Sequence, residues 1–254
     1  MRHAARCQAW CRVWWTTRQE RESEHRGGTG TARVVAILAH PDDAEILAGG
    51  TLYKHRQRGD SVEICSVTYT PDAVRGQEGA AGAQRLGADF TCLGLPDMGV
   101  SRSTPEDVER LTAFLLARPP DLVLTHWLED THPDHAASVR LVIEALVHYA
   151  VAHGLEDVDA SRRAFPQVWS CDTYGALGSR GAFDPEWYID ISAVWEQKLH
   201  ALAAHQSQTP AHWTELVRRH NAFYGARCHR EYAEGFRRLP LAFVNNLPAY
   251  EYLP

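Results

Sequence analysis

Short apolar-rich runs recur at Val34–Ala39, Val62–Tyr69, Phe90–Leu95 and Asp121–Trp127, and a segment of helical spacing follows each of them. The first run, Val-Val-Ala-Ile-Leu-Ala, does not alternate with polar residues, which suits a strand covered on both faces. After it, Pro41 among acidic residues makes a favourable first helical turn, and Ile46, Leu47, Leu52 and Tyr53 carry an apolar stripe that Gly59 ends. Glu78–Leu86, closed by Gly87, reads as the next helix. Thr104-Pro105-Glu106-Asp107 caps another, carrying Val108, Leu111, Phe114 and Leu115 until Pro119-Pro120 stops it. Val139, Val142, Ile143 and Leu146 mark the helix after the fourth run. Strands alternating with helices leave a mostly parallel, doubly wound sheet as the expected architecture.

Beyond Tyr149 the pattern thins. Val168–Tyr174 and Trp187–Ile191 read as strands, Val194–His205 as a helix, and the rest as a cap. No periodic element begins before Ala32, so residues 1–31 are expected to be a flexible extension and residues 32–254 one domain. Trp10, Trp14 and Trp15 lie in that extension without an evident partner. The fold class is therefore α/β, Rossmann-like, a mostly parallel sheet with helices on both faces.

Composition excludes several function classes. The net charge is -6, from 26 Lys+Arg and 32 Asp+Glu, without a basic cluster to grip phosphates, so nucleic acid is not an expected partner. No apolar run approaches the ~20 residues that span a bilayer, so no membrane segment is expected. Residues Cys7–Trp15 are interrupted by Arg12 and no small-residue cleavage site follows, which argues against a secretory signal. The 6 cysteines are scattered, without paired CxxC motifs, and fit a reducing cytoplasm. No G-x-S-x-G elbow occurs, and no G-x-G-x-x-G follows the first strand, which removes serine-hydrolase and dinucleotide readings.

The chemistry lies in two clusters, His40-Pro41-Asp42-Asp43 and His132-Pro133-Asp134-His135. Each falls just after a buried-looking strand, where doubly wound sheets bind ligands, so segments nearly a hundred residues apart can face one crevice. Imidazole and carboxylate donors suit zinc, whose catalytic sites use three protein ligands and keep a position open. Bound zinc lowers the pKa of water from about 15.7 to about 7, on the order of 12 kcal/mol, which a lone carboxylate base cannot supply. Spacing alone does not tell which of Asp42 and Asp43 is ligand and which is base. Fe2+ or cobalt could also occupy such a donor set.

The chain resembles the PIG-L/LmbE-like family of zinc-dependent N-acetylglucosaminyl deacetylases. The resemblance rests on Ala39-His40-Pro41-Asp42-Asp43 with Glu45, Arg75-x-x-Glu78 leading to Leu86-Gly87, Leu95-Pro96-Asp97, and Asp130-x-His132-Pro133-Asp134-His135. Asp190-Ile191-Ser192, Lys198, His205-Gln206-Ser207-Gln208 and Tyr232-Ala233-Glu234-Gly235-Phe236 extend it towards the C-terminus. It implies zinc ligands His40, Asp43 and His135, with Asp42 as general base. His132 would stabilise the oxyanion or protonate the amine, and Asp134 would orient it. Arg75 and Asp97 would contact the substrate, an ion pair with Glu78 and a turn role after Pro96 being the alternatives for these two.

Asp130 is a departure, because some members carry tyrosine there. The loop from Thr70 to Gly76 is short and unlike that of many members. The motifs look most like the bacillithiol branch, whose substrate is N-acetylglucosaminyl malate. The implied reaction releases acetate and a free amino sugar from a small-molecule sugar conjugate. An inactive metal- or sugar-binding module is the alternative, and self-association is common among relatives.

Overall fold

The computed structural model describes residues 31–152 and 165–241, so the expected N-terminal extension and its three tryptophans lie outside the described residues. Its centre is a seven-stranded sheet built from β1 (Arg33–Leu38), β2 (Ser61–Thr68), β3 (Asp89–Leu95), β4 (Leu122–Thr125), β5 (Gln167–Cys171), β8 (Trp187–Asp190) and β9 (Ala233–Arg238). The strand order is β3-β2-β1-β4-β5-β9-β8. The first five strands are parallel, and β9 runs antiparallel to both β5 and β8. A two-residue hairpin of β6 (Leu177–Gly178) and β7 (Gly181–Ala182) stands apart.

The helices are α1 (Asp43–Gln57), α2 (Val74–Leu86), α3 (Pro105–Ala117), α4 (Pro133–Ala152), α5 (Trp195–Leu202) and α6 (Pro210–Arg227). Val34, Ala36 and Leu38 of β1 enter one core with residues of α1, α2, α5 and α6. Val35 and Ile37 enter the other, against α3 and α4. Every residue from Val34 to Ala39 is fully buried, which is why this run shows no alternation. Pairing of β1 with β2 on one side and β4 on the other puts the change of winding direction between β1 and β4, and ligand sites form at that point.

Two stretches differ from expectation. Helix α2 starts at Val74 instead of Glu78, because its N-cap residue, Ala73, makes no side-chain cap that would mark the start. The segment expected as a cap supplies α6 and β9, and β9 lies inside the sheet. Its sequence, Ala-Glu-Gly-Phe-Arg-Arg, lacks an apolar run, yet its first four residues are buried since Glu234 is neutralised by Lys198 at 2.6 Å. Among the described residues no helix is long and apolar enough to cross a membrane.

Asp60 staples the end of α1 to the start of β1. Its Oδ2 accepts from His55 Nδ1 and Arg58 Nε, both at 2.7 Å, and its Oδ1 accepts from the Ala32 N–H at 2.9 Å. Burial alone would raise its pKa, but hydrogen bonds from His55 and Arg58 and the Arg58 charge outweigh it and pull the carboxyl down to about 2. A depressed carboxyl stabilises the fold above its unfolded pKa and stops doing so as pH falls through the folded value. Asp60→Asn is therefore expected to cost roughly 2 kcal/mol at pH 7, a difference that shrinks between about pH 4 and pH 2. Urea unfolding of both proteins across that range measures it, and a difference independent of pH would refute the staple.

Candidate active site

The loop after β1 brings His40, Asp42 and Asp43 to the point where the winding changes. The Asp43 carboxylate accepts the His40 N–H at 2.7 Å, and the Ile46 N–H donates to the Asp42 carbonyl at 3.1 Å, so His40-Pro41 turns directly into α1 with Asp42 at its N-cap. Asp43 is fully buried, and burial alone would favour its neutral form. The neighbouring His135, His126 and His40 overcome that and hold the carboxyl well below the usual range. His40 Nδ1 lies 3.3 Å from Asp43 Oδ2, and His135 Nε2 lies 3.4 Å from Oδ1. The three expected metal ligands are thus brought together.

His135 offers a test of whether this set suits a cation. Its Nδ1 lies 2.8 Å from Asp130 Oδ2, an arrangement in which the ring donates and leaves a lone pair on Nε2. That Nε2 is buried without a hydrogen-bond partner and faces the Asp43 carboxylate. The Asp43 carboxylate therefore calls for a positive charge at Nε2: without a metal, Asp43 and Asp130 outweigh burial and push His135 up to about 10, so a proton occupies the position that a cation would take. Among the described residues, donor atoms converge in the sets His40/His132/His135 and Asp43/His126/His135, with a third set of His40/Asp97/Asp134 beside them. The set with two imidazoles and a carboxylate is Asp43/His126/His135, so His126 joins two of the expected ligands there while His40 reaches Asp43 from the adjoining set at 3.3 Å, and this donor chemistry fits zinc.

Asp42 is 2% exposed and carries a charge-assisted bond from Arg75 Nη2 at 2.6 Å. Burial and the adjacent Asp43 raise its pKa, and Arg75 offsets only part of this, so the carboxylate is a stronger base than one in water. Arg75 does not pair with Glu78, which instead accepts from Ser207 N–H at 2.8 Å and Ser207 Oγ at 2.6 Å. Beneath this turn, Glu45 and His205 form a buried pair at 3.4 Å.

His132 is held differently from the expectation. The Asp134 backbone N–H, not its carboxylate, donates to His132 Nδ1 at 3.2 Å. That fixes the tautomer with the proton on Nε2. Burial and the charges of His135 and His40 keep the ring below the usual imidazole range. The Asp134 carboxylate accepts from Met98 N–H at 2.6 Å and Val100 N–H at 3.2 Å, so it pins the loop after β3 that carries Asp97. That loop brings Asp97 Oδ1 to 3.4 Å from His40 Nε2.

A model of the family described as PIG-L, GlcNAc-PI de-N-acetylase, matches residues 35–146. The chain is 30% identical over 238 residues to the diacetylchitobiose deacetylase of Thermococcus kodakarensis, covering 85% of this chain and 86% of that one. The chain belongs to the PIG-L/LmbE-like family. It is also 26% identical over 202 residues to a probable N-acetyl-alpha-D-glucosaminyl L-malate deacetylase 2 of Bacillus cereus, covering 70% of this chain and 84% of that one. The solved N,N'-diacetylchitobiose deacetylase of Pyrococcus horikoshii, bound to an inhibitor, superposes with a TM-score of 0.65 at 28% identity, over 82% of this chain and 84% of that chain.

In this member of the PIG-L/LmbE-like family, two residues that the sequence did not point to, His126 and Tyr174, also reach the site, and Asp130 of the second motif holds both of its histidines. His126 ends β4 and stacks on His135 with ring centroids 3.8 Å apart, its Nε2 3.1 Å from Asp43 Oδ2 and 2.8 Å from the Ala39 N–H. Tyr174, in the loop after β5, donates its hydroxyl to Asp43 Oδ1. Asp130, where some members have tyrosine, holds His135 Nδ1 and also accepts the His132 N–H at 2.8 Å. The same rule that located the two motifs, ligand groups at the carboxyl ends of parallel strands, would have marked His126 and Tyr174.

Proposed function

We propose that this protein hydrolyses the N-acetyl group of an N-acetylglucosaminyl conjugate, giving acetate and a free amino sugar. The observation that carries the reading is the buried Asp42, held by Arg75, beside a His40/Asp43/His135 cluster whose His135 Nε2 lacks a partner. Family membership and similarity to enzymes that deacetylate glucosamine compounds support it. His40, Asp43 and His135 would hold the metal, zinc by donor type with Fe2+ the alternative, and when bound it would polarise the amide carbonyl and acidify water.

The chain's own groups do the rest. Asp42 takes a proton from the attacking water and later delivers it to the departing nitrogen, so the reaction ends with a neutral amine and acetate. His132, with Nδ1 already occupied, presents its Nε2–H to the oxygen on which negative charge develops. Arg75 and Asp97 border the site and contact the sugar, Arg75 doing so while its other face steadies Asp42.

Within this class, N-acetylglucosaminyl malate has the support of the motif resemblance and the Bacillus cereus relative, and diacetylchitobiose that of the Thermococcus kodakarensis relative. Cys65, Cys92, Cys171 and Cys228 are free thiols, which supports a cytoplasmic setting. Amine release from malate, inositol and chitobiose conjugates, by metal-loaded against chelator-stripped protein, tests the reading. Metal-dependent release is the expected result, with one conjugate preferred. Tight sugar binding without release by the loaded protein would convert the reading to that of a binding module.

A further inference from the structure

Resting on the deacetylase reading, we infer that Tyr69 is a positioning residue for substrate recognition, fixing Asp97 against Arg75 so that the two meet the sugar as one rigid rim. The Tyr69 hydroxyl donates to Asp97 Oδ2 at 2.5 Å and accepts from Arg75 Nη1 at 3.2 Å. The Arg75 guanidinium also lies over the Tyr69 ring, 4.9 Å from its centroid. With Arg75 Nη2 on Asp42 and Asp97 Oδ1 near His40, a continuous polar chain runs from the base through Arg75, Tyr69 and Asp97 to a metal-ligand candidate.

The backbone is shaped to put Tyr69 there. Pairing of β2 with β3 slips between Ser66 and Thr68, so that Leu93 and Gly94 face Val67 alone. This bulge relies on Gly94 at φ +88, a conformation that favours glycine. Tyr69 itself has φ +65, in the left-handed region that bulky residues avoid, and its N–H is held by the Leu95 carbonyl at 3.0 Å. Strain of this kind persists where the surroundings fix it, and it is found at ligand clamps.

Two hydrogen bonds would therefore disappear in Tyr69→Phe, while the ring under Arg75 and the Arg75–Asp42 bond remain. Asp97 is 41% exposed, and among the described residues the side chains at its carboxylate are Tyr69 and His40, so without the phenol the carboxylate is free to rotate into solvent. The expected result is a KM for the preferred N-acetylglucosaminyl conjugate raised about tenfold, with kcat within about threefold of the parent and bound metal unchanged, the pattern of lost ground-state binding. Binding of N-acetylglucosamine to the metal-loaded protein, measured by calorimetry, should weaken by a similar factor.

An unchanged KM would overturn the inference. So would a fall in kcat at constant KM, which would place Tyr69 on the base through Arg75, or a loss of metal, which would make its role structural. Tyr69→Asn, which tolerates the left-handed backbone, separates the hydroxyl from the strain and should raise KM at least as much. The parent protein is assayed first on the same conjugate. If it releases no amine the deacetylase reading fails, whereas parent activity with an indistinguishable Tyr69→Phe removes only the role of Tyr69.

Discussion

Asp42→Asn is expected to lower kcat by roughly two to four orders of magnitude, or about 3–5 kcal/mol in the barrier, while the protein keeps its metal. The amide removes the charge but preserves an acceptor oxygen for the Arg75 guanidinium, which lies 2.6 Å from Asp42. What it removes is the basic carboxylate, whose affinity for a proton is raised by burial and by the negative charge of Asp43. His135→Ala should behave differently. It deletes an imidazole whose Nε2 faces Asp43 and whose Nδ1 rests on Asp130, so metal affinity is expected to fall by roughly a hundredfold or more, with activity falling in parallel. Elemental analysis of both purified variants, set beside their kcat values, separates the roles. Metal loss in Asp42→Asn would mean that Asp42 is a ligand and that base and ligand have been exchanged.

The parts of this architecture legible in the sequence are those with local physical signatures. An unbroken apolar run announced β1 because both of its faces are buried, and Thr104 with Asp107 announced α3 because the capping box needs only those residues at that spacing. The two His/Asp motifs were legible for the same reason, each being contiguous and each leading from a strand into the following helix. Roles that depend on which chain segment lies opposite were not. Asp134 sits in the motif, but its carboxylate serves Met98 and Val100, more than thirty positions upstream. Arg75 lies three positions from Glu78, one helical turn away, yet the fold gives it Asp42. His126 and Tyr174 carry no motif at all and become site residues only through the packing of β4 beside β1 and of β5 beside β4. β9 was missed because its burial depends on a lysine supplied by another helix.

That lysine gives the largest expected effect on stability. Lys198 is fully buried, and its ammonium donates to Glu234 Oε1 at 2.6 Å and to the Ile46 carbonyl at 2.8 Å. Glu234, equally buried, accepts the N–H groups of Gly50 at 2.9 Å and Thr51 at 2.7 Å. The pair thereby ties α5 and β9 into the middle of α1, the helix whose first turn carries Asp42 and Asp43. Gly50 makes room for this junction, since a Cβ there would stand 2.6 Å from the Ile191 side chain. Lys198→Met leaves a buried carboxylate with only two amide donors, and breaking a buried pair from one side costs about 3–5 kcal/mol. At about 2–4 °C per kcal/mol for a chain of this size, Tm should fall by roughly 6–20 °C. Glu234→Gln should also destabilise, because it leaves the Lys198 ammonium buried without its counter-charge, whereas the double variant Lys198→Met/Glu234→Gln leaves no unpaired charge and is expected to lose less than the two single losses added together. Strictly additive losses would show that the two side chains act independently. A Tm shift under about 3 °C for Lys198→Met would show that water or a rearranged side chain reaches the Glu234 carboxylate, and that α1 does not depend on this charge pair to hold the site in place.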